Sequence, residues 1–268
     1  MERPTPVSRP VALTIAGSDS GGGAGIQADI QTMAAHRVFG TTAITAVTAQ
    51  HTRGVESAHV LPLEEVDAQI RAVTDDFDVR AVKTGMLATA EIVDLVADHA
   101  AELEVPIVVD PVMVATSGDQ LLDPDAEAAY ERLVAEATLV TPNADEAEVL
   151  TGVSVADSDS ARDAGDALLE LGVDAAVVKG GHVPGDTVRD LLVTPDGAMT
   201  FTHPRIDTEA THGSGCTLSA AIAARLARGE GLESAVEAAT AFVGRAVRSH
   251  YDVGRGPGAV NPFVDLLE

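Results

Sequence analysis

The chain is short of several residue types, and each shortage removes a class of protein. Its 268 residues include one cysteine, Cys216. An intrachain disulfide and any zinc site built from several cysteines are therefore excluded. Tryptophan is absent, and aromatic residues make up 3% of the chain against 46% hydrophobic residues overall. The core must come from Ala, Val, Leu and Ile, which suits helices packed on a parallel sheet. There is no apolar run long enough for a membrane span, and MERPTPVSRP at the start lacks the apolar stretch of a signal peptide. A soluble, cytoplasmic protein is expected, with residues 1–10 extended or disordered.

Positive charge is scarce too. Lys and Arg total 17 against 42 Asp and Glu, a formal net charge of −25. Such a field repels nucleic acid and anionic membranes, so neither is an expected partner. High salt screens self-repulsion of this kind, which points to a halophilic source; an acidic protein of ordinary cytoplasm is the other reading. Lys83 and Lys179 are the only lysines, so each needs a reason to be there.

What is present is a repeated strand-then-helix pattern. Apolar runs at 11–16, 41–50, 80–83, 107–109, 139–140 and 175–179 read as strands, and periodic segments at 26–36, 63–75, 89–102, 124–136, 144–150 and 160–171 as helices. Residues 55–61 read as a further short strand. Residues 188–193 and 199–202 read as a hairpin around Pro195-Asp196-Gly197. Helices at 218–228 and 232–250 and a short capping segment at 261–268 complete the chain. No repeat, linker or low-complexity tract divides it, so one domain over 1–268 is expected, an α/β fold with a mostly parallel sheet covered by helices on both faces.

Two glycine loops stand out. The first, Gly17 to Gly25, follows a strand and opens a helix. A Walker loop needs a lysine that it lacks. Gly23-Ala24-Gly25-Ile26-Gln27-Ala28 fits a loose dinucleotide fingerprint, but no acidic residue lies between Asp29 and Glu56. Its glycines permit either close approach of a small ligand or a tight turn. The second loop, Thr211-His212-Gly213-Ser214-Gly215-Cys216-Thr217, opens an alanine-rich helix. Free amides at a helix N-terminus bind anions; the alternative is a turn around a buried small residue.

Polar residues gather where strands end: Gln50, Lys83, Asp110, Asn143 and Lys179. Ligands of open α/β sheets bind at such ends. Asp110 with Asn143 and Glu146 offers oxygen ligands suited to Mg²⁺, although Asn143 and Glu146 also have the spacing of a capping box, and both roles can coexist. Lys179 can meet a nucleotide phosphate. Gln50 can pair with an amidine edge such as a 4-aminopyrimidine, or face water.

The ordered segments AGSDSGGGAGIQAD, TAVTAQHT, KTGML, VVDPVM, TPNADEAEVLTG, VVKGGH and THGSGCTLSAA resemble the hydroxymethylpyrimidine/phosphomethylpyrimidine kinase family of thiamine biosynthesis, within the ribokinase superfamily. The resemblance spans roughly residues 11 to 250 and implies a ribokinase-like fold. It also implies ATP-dependent phosphorylation of 4-amino-5-hydroxymethyl-2-methylpyrimidine to its monophosphate, and of that to the diphosphate. By the same resemblance Gln50, Asp29 and Gly17 hold the pyrimidine, and Met86, Val112 and Met113 wall it. Lys179, Asn143 and Thr211 serve ATP, Asp110 and Glu146 serve Mg²⁺, and Gly213, Ser214, Gly215 and Cys216 form the anion hole. Many relatives have Thr where this chain has Ser214. The position of Cys216 is commonly Asp in the superfamily, a base for the acceptor hydroxyl. A helix N-terminus lowers a thiol pKa, so Cys216 is expected to be partly thiolate. A homodimer is implied. The competing readings are a pyridoxal-type vitamin kinase and a non-catalytic ligand-binding regulator on the same fold.

Overall fold

Alternate residues of each central strand face opposite sides, and each side has its own core. The structure, a computed structural model, describes residues 5–114, 121, 126–182 and 185–266. In chain order the elements are β1 (Val11–Asp19), α1 (Gly25–Ala35), β2 (Phe39–His51), β3 (Gly54–Val60), α2 (Leu63–Thr74), β4 (Val79–Thr84), α3 (Ala90–Glu102), β5 (Ile107–Val109), α4 (Glu127–Ala135), β6 (Leu139–Val140), α5 (Ala144–Thr151), α6 (Ser158–Glu170), β7 (Ala176–Val178), β8 (Thr187–Thr194), β9 (Gly197–Pro204), α7 (Ser214–Ala227) and α8 (Leu232–Arg248). The strands form one sheet in the order β3-β2-β1-β4-β5-β6-β7-β8-β9. From β2 through β1, β4, β5 and β6 to β7 every pairing is parallel. β3 and the β8–β9 hairpin close the two edges in antiparallel fashion.

Leu13, Ile15, Val82, Ile107, Val109 and Val140 face a core shared with α2, α3, α4 and α6. Their neighbours Ala12, Ala81, Val108 and Leu139 face the opposite core, shared with α1, α7 and α8. Small side chains dominate this second side, with Ala12, Ala81 and Ala175 on the sheet and Ala221, Ala223 and Ala224 on α7. With so little side-chain volume between them, α7 lies close on the sheet and its N-terminus comes to the ends of the central strands.

The α/β class with helices on both faces is as expected. Three boundaries differ in ways that matter. β1 continues through Gly17 to Asp19, with a register shift between Ala16 and Ser18; Gly17 was expected to end it. α7 begins at Ser214 rather than Leu218, so the second glycine loop is itself the first turn of that helix. α6 begins at Ser158, capped by Asp157. The start of the helix expected at 124 and the last two residues of the expected capping segment lie outside the described residues, as do residues 1–4 of the expected N-terminal arm. β1 has β2 on one side and β4 on the other, so the order of the sheet reverses there. In such sheets that switch point opens a crevice beyond the strand ends.

Candidate active site

Both glycine loops come to this crevice, and they differ in who supplies the negative charge. Asp19, at the end of β1, accepts hydrogen bonds from the amides of Gly21 (2.7 Å), Gly23 (3.1 Å) and Ala24 (2.9 Å). Burial opposes its ionisation, but His212 and the Gly21 and Ala24 amides outweigh that and hold the carboxyl below its usual range. The first loop thus carries its own anion. In the second loop, Gly213 takes a left-handed φ of 82°. The Ser214 amide bonds Thr211 O and the Thr217 amide bonds Gly213 O. Between them the amides of Gly215 and Cys216 have no backbone acceptor among the described residues, as expected for the first turn of a helix. The second loop is open to an anion from outside.

Charged side chains surround that open turn. A Cβ built on Gly215 would lie 3.4 Å from Lys179 Nζ and 3.8 Å from Asp110 Oδ2. Lys179 Nζ is 3.0 Å from Asp110 Oδ1 and 3.5 Å from Glu146 Oε2. Asp110 Oδ2 also accepts from Ser219 Oγ of α7 at 3.1 Å. Burial works against charge at Asp110, yet Lys179 and Lys83 together keep its carboxyl below the usual range. Burial pushes the Glu146 carboxyl up, with Lys179 opposing. The capping box at α5 is formed: Glu146 N donates to Asn143 Oδ1 at 2.9 Å, and Asn143 N donates to Glu146 Oε2 at 2.7 Å. No group of three or more His, Cys, Asp or Glu able to hold a metal occurs among the described residues.

A cavity of about 560 Å³ joins this polar end to an apolar one. Gln50, Gly17, Met86 and Val112 line one end, and Thr211, Gly213, Ser214, Gly215, Cys216, Lys179, Asn143, Asp110 and Glu146 line the other. Two residues expected in the pyrimidine pocket do not line it. Asp29 is fully buried and spent on Lys83, whose Nζ is 2.9 Å from both carboxylate oxygens, and on Thr14 Oγ1 at 2.6 Å. Met113 turns into the core beneath α3 and α4. Lys83 lines the cavity in their place. Burial opposes its charge, but Asp29, Cys216 and Asp110 hold its ammonium above the usual range. The expectation for Cys216 also changes in sign. Burial pushes the thiol up to about 11, aided by Asp29 and Asp110 and opposed by Lys83 and the Gly25 amide. The lowering by Lys83 and the Gly25 amide does not offset this.

Sequence reasoning missed Asp19, His212, Ser219 and Asp190, all at the site or against its walls. Asp19 was readable: an Asp two residues before a glycine run is poised for side-chain-to-backbone turns. Ser219 was not, because only the closeness of α7 to β5 brings it to Asp110. Asp190, on β8, is buried and accepts from Gly180 N at 3.0 Å, so it holds the turn after Lys179.

A family profile described as phosphomethylpyrimidine kinase matches residues 19–261. The hydroxymethylpyrimidine/phosphomethylpyrimidine kinase of Streptomyces coelicolor is 49% identical over 263 residues, covering 97% of each chain. Among solved structures, a pyridoxal kinase from Bacillus subtilis in an ADP complex superposes with a TM-score of 0.91 at 34% identity, covering 97% of this chain and 100% of that one. A phosphomethylpyrimidine kinase from Clostridium difficile superposes with a TM-score of 0.79 at 37% identity, covering 89% and 100%. With two glycine loops, the strand-end lysine and the carboxylate pair in one crevice of a ribokinase-like fold, the chain belongs to the phosphomethylpyrimidine kinase family.

Proposed function

We propose that the chain transfers the γ-phosphoryl group of ATP to 4-amino-5-hydroxymethyl-2-methylpyrimidine, and then a second one to the resulting monophosphate, in thiamine biosynthesis. The observation that carries this reading is the cavity itself. An open helix turn flanked by Lys179 sits at one end, and the Gln50 amide lines the other together with the apolar Met86 and Val112 and with Lys83. A flat heteroaromatic ring with one hydrogen-bonding edge fits the second, and a phosphoryl group in flight fits the first.

Phosphoryl transfer asks a protein mainly for alignment and charge stabilisation. The amides of Gly215 and Cys216 and the Lys179 ammonium supply both to the transferring group. Asn143 and Thr211 border the nucleotide end. Asp110 and Glu146 fit Mg²⁺ in the chemistry of their donors: two buried carboxyl groups lie on one ammonium, and Mg²⁺ is usually bound through one or two carboxylates together with phosphates and water. When bound, the ion neutralises phosphate charge. Gln50 orients the ring so that its hydroxymethyl group points at the turn, and Gly17 leaves room beside Met86, because a Cβ there would lie 3.0 Å from Met86 Sδ. Cys216 stands between the two ends as base for the first acceptor. The family resemblance also supports a homodimer, and the exposed apolar Val47 and Val60 near the β3 edge are compatible with one.

The test is ATP consumption with the hydroxymethylpyrimidine, its monophosphate and pyridoxal, with products identified by mass. Turnover of the first two with little of the third is expected. Preference for pyridoxal would make the chain a pyridoxal-type kinase, as the Bacillus subtilis structure is named. Binding without turnover would make it a regulator.

A further inference from the structure

Thr48 and Gln50 lie two apart on β2 and therefore on one face of it. The β2–β3 pairing passes from Ala49–Ser57 to Gln50–Val55 and leaves Glu56 of β3 as the extra residue, so β2 keeps its alternation through Gln50. The Gln50 backbone is held from the first glycine loop: its amide donates to Ser20 Oγ at 2.8 Å, and Ser20 Oγ donates to its carbonyl at 2.7 Å. The side chain is held as well. Thr48 Oγ1 lies 2.9 Å from Ser18 O and 3.0 Å from Gln50 Oε1. Thr48 is buried.

A threonine hydroxyl has one proton to give, and here it faces two acceptors. The Ser18 carbonyl can only accept. Gln50 can do either, because a half-turn of its amide exchanges Oε1 for Nε2. The arrangement that satisfies every group is a one-way chain: Gln50 Nε2–H donates to Thr48 Oγ1, which donates to Ser18 O.

We propose that Thr48 is a positioning residue that fixes the polarity of the Gln50 amide and so selects the ring this site accepts. With Nε2 anchored to Thr48 by its outer hydrogen, the amide presents a donor on the Thr48 side and an acceptor, Oε1, on the far side. That edge complements a ring nitrogen next to an exocyclic amino group, the amidine edge of a 4-aminopyrimidine. It takes such a ring in one orientation only. A hydroxypyridine has no adjacent acceptor and amino donor to match it. This rests on the reading of Gln50 as the residue that meets the substrate ring.

A double-mutant cycle on the intact enzyme tests it, reading the dissociation constant of the hydroxymethylpyrimidine by calorimetry, with kcat and the ATP affinity alongside. Gln50→Met weakens pyrimidine binding. Thr48→Val, which keeps the shape and removes the hydroxyl, weakens it about tenfold in the wild-type background and by less than about twofold when Gln50 is already Met. Thr48→Ser, which keeps the hydroxyl, restores binding, while ATP affinity stays within about twofold in the Thr48 variants. Thr48→Ala gives the same comparison if Thr48→Val does not fold. Equal losses from Thr48→Val in both backgrounds, or none in either, would overturn the proposal while leaving Gln50 as the ligand. An unchanged dissociation constant for Gln50→Met would instead remove the reading on which the proposal rests.

Discussion

His212 Nε2 lies 3.1 Å from Asp19 Oδ2, and this contact ties together two loops that are 193 positions apart in the chain. Asp19 already holds the amides of the first loop, and His212 precedes the open turn of the second. The two backbones also meet directly. Gly213 has φ of 82°, and a Cβ on it would overlap the Gly23 carbonyl. The histidine side chain occupies the space where a Cβ on Gly23 would project, so Gly23 must stay bare. The filled anion site is thus the platform on which the open one is set.

Asp19→Asn should therefore cost stability and do so in a pH-dependent way. The carboxyl is held below its usual range in the folded protein. Its contribution is present above the unfolded pKa of about 3.9 and is lost as pH falls through the lower folded value. At pH 7 we expect the variant to be less stable by about 2 kcal/mol, the worth of hydrogen bonds to a charged group. The difference should shrink below pH 4. Chemical denaturation of both proteins at pH 7 and near pH 3 measures it. An equal gap at both values would mean that Asp19 matters for its shape rather than its charge.

Lys83 and Asp29 form a pair with no exposure of either side chain. A buried pair broken on one side leaves an uncompensated charge, which typically costs about 3–5 kcal/mol, whereas replacing both partners is often nearly neutral. Lys83→Met should be destabilising on that scale, and Lys83→Met with Asp29→Leu should recover most of the loss. Urea unfolding of the single and double variants decides. A double variant as unstable as the single one would show that Thr14 and the cavity wall need the carboxylate itself.

Much of this architecture was legible because apolar periodicity marks strands and helices directly. Ile107–Val109 and Leu139–Val140 stand where the sequence pattern puts them, and Thr89 caps α3 by accepting from Ile92 N. The site was legible to the extent that strand ends collect polar residues, which brought out Gln50, Asp110, Asn143 and Lys179. Two things were not local. Whether a carboxylate faces a ligand or a partner depends on the neighbouring strand, so Asp29 was assigned to the pocket although Lys83 of β4 takes it up. Whether a helix terminus governs a thiol depends on what else is buried beside it, and Asp29 and Asp110 lie out of sequence reach of Cys216.

The surface charge has its own consequence. With 42 acidic against 17 basic residues, self-repulsion opposes the folded state at low ionic strength. If the surface is an adaptation to salt, the urea midpoint should rise steadily between 0.1 and about 2 M KCl and rise less in sucrose of matched osmolality, since sucrose screens no charge. A midpoint that levels off once screening is complete at a few tenths molar would assign the acidity to an ordinary environment.

Cys216 gives the sharpest kinetic prediction. Its thiol is pushed up to about 11 by burial, so only roughly one part in ten thousand is thiolate at pH 7. A base present in so small a fraction imposes a signature. The rate of the first phosphorylation, whose acceptor is a hydroxyl, should climb about tenfold per pH unit from 7 to 9 with no plateau. The second phosphorylation accepts on a phosphate that is already ionised and needs no strong base, so its rate should change little over that range. Cys216→Ala should abolish the climb in the first step and leave the second near its wild-type rate, whereas Cys216→Ser should behave as Ala does. Single-turnover measurements of each step across pH separate them, provided chemistry rather than release is observed. A flat profile for the first step in the wild-type enzyme, or equal slowing of both steps in Cys216→Ala, would leave the cysteine as part of the wall between Lys83 and the open helix turn.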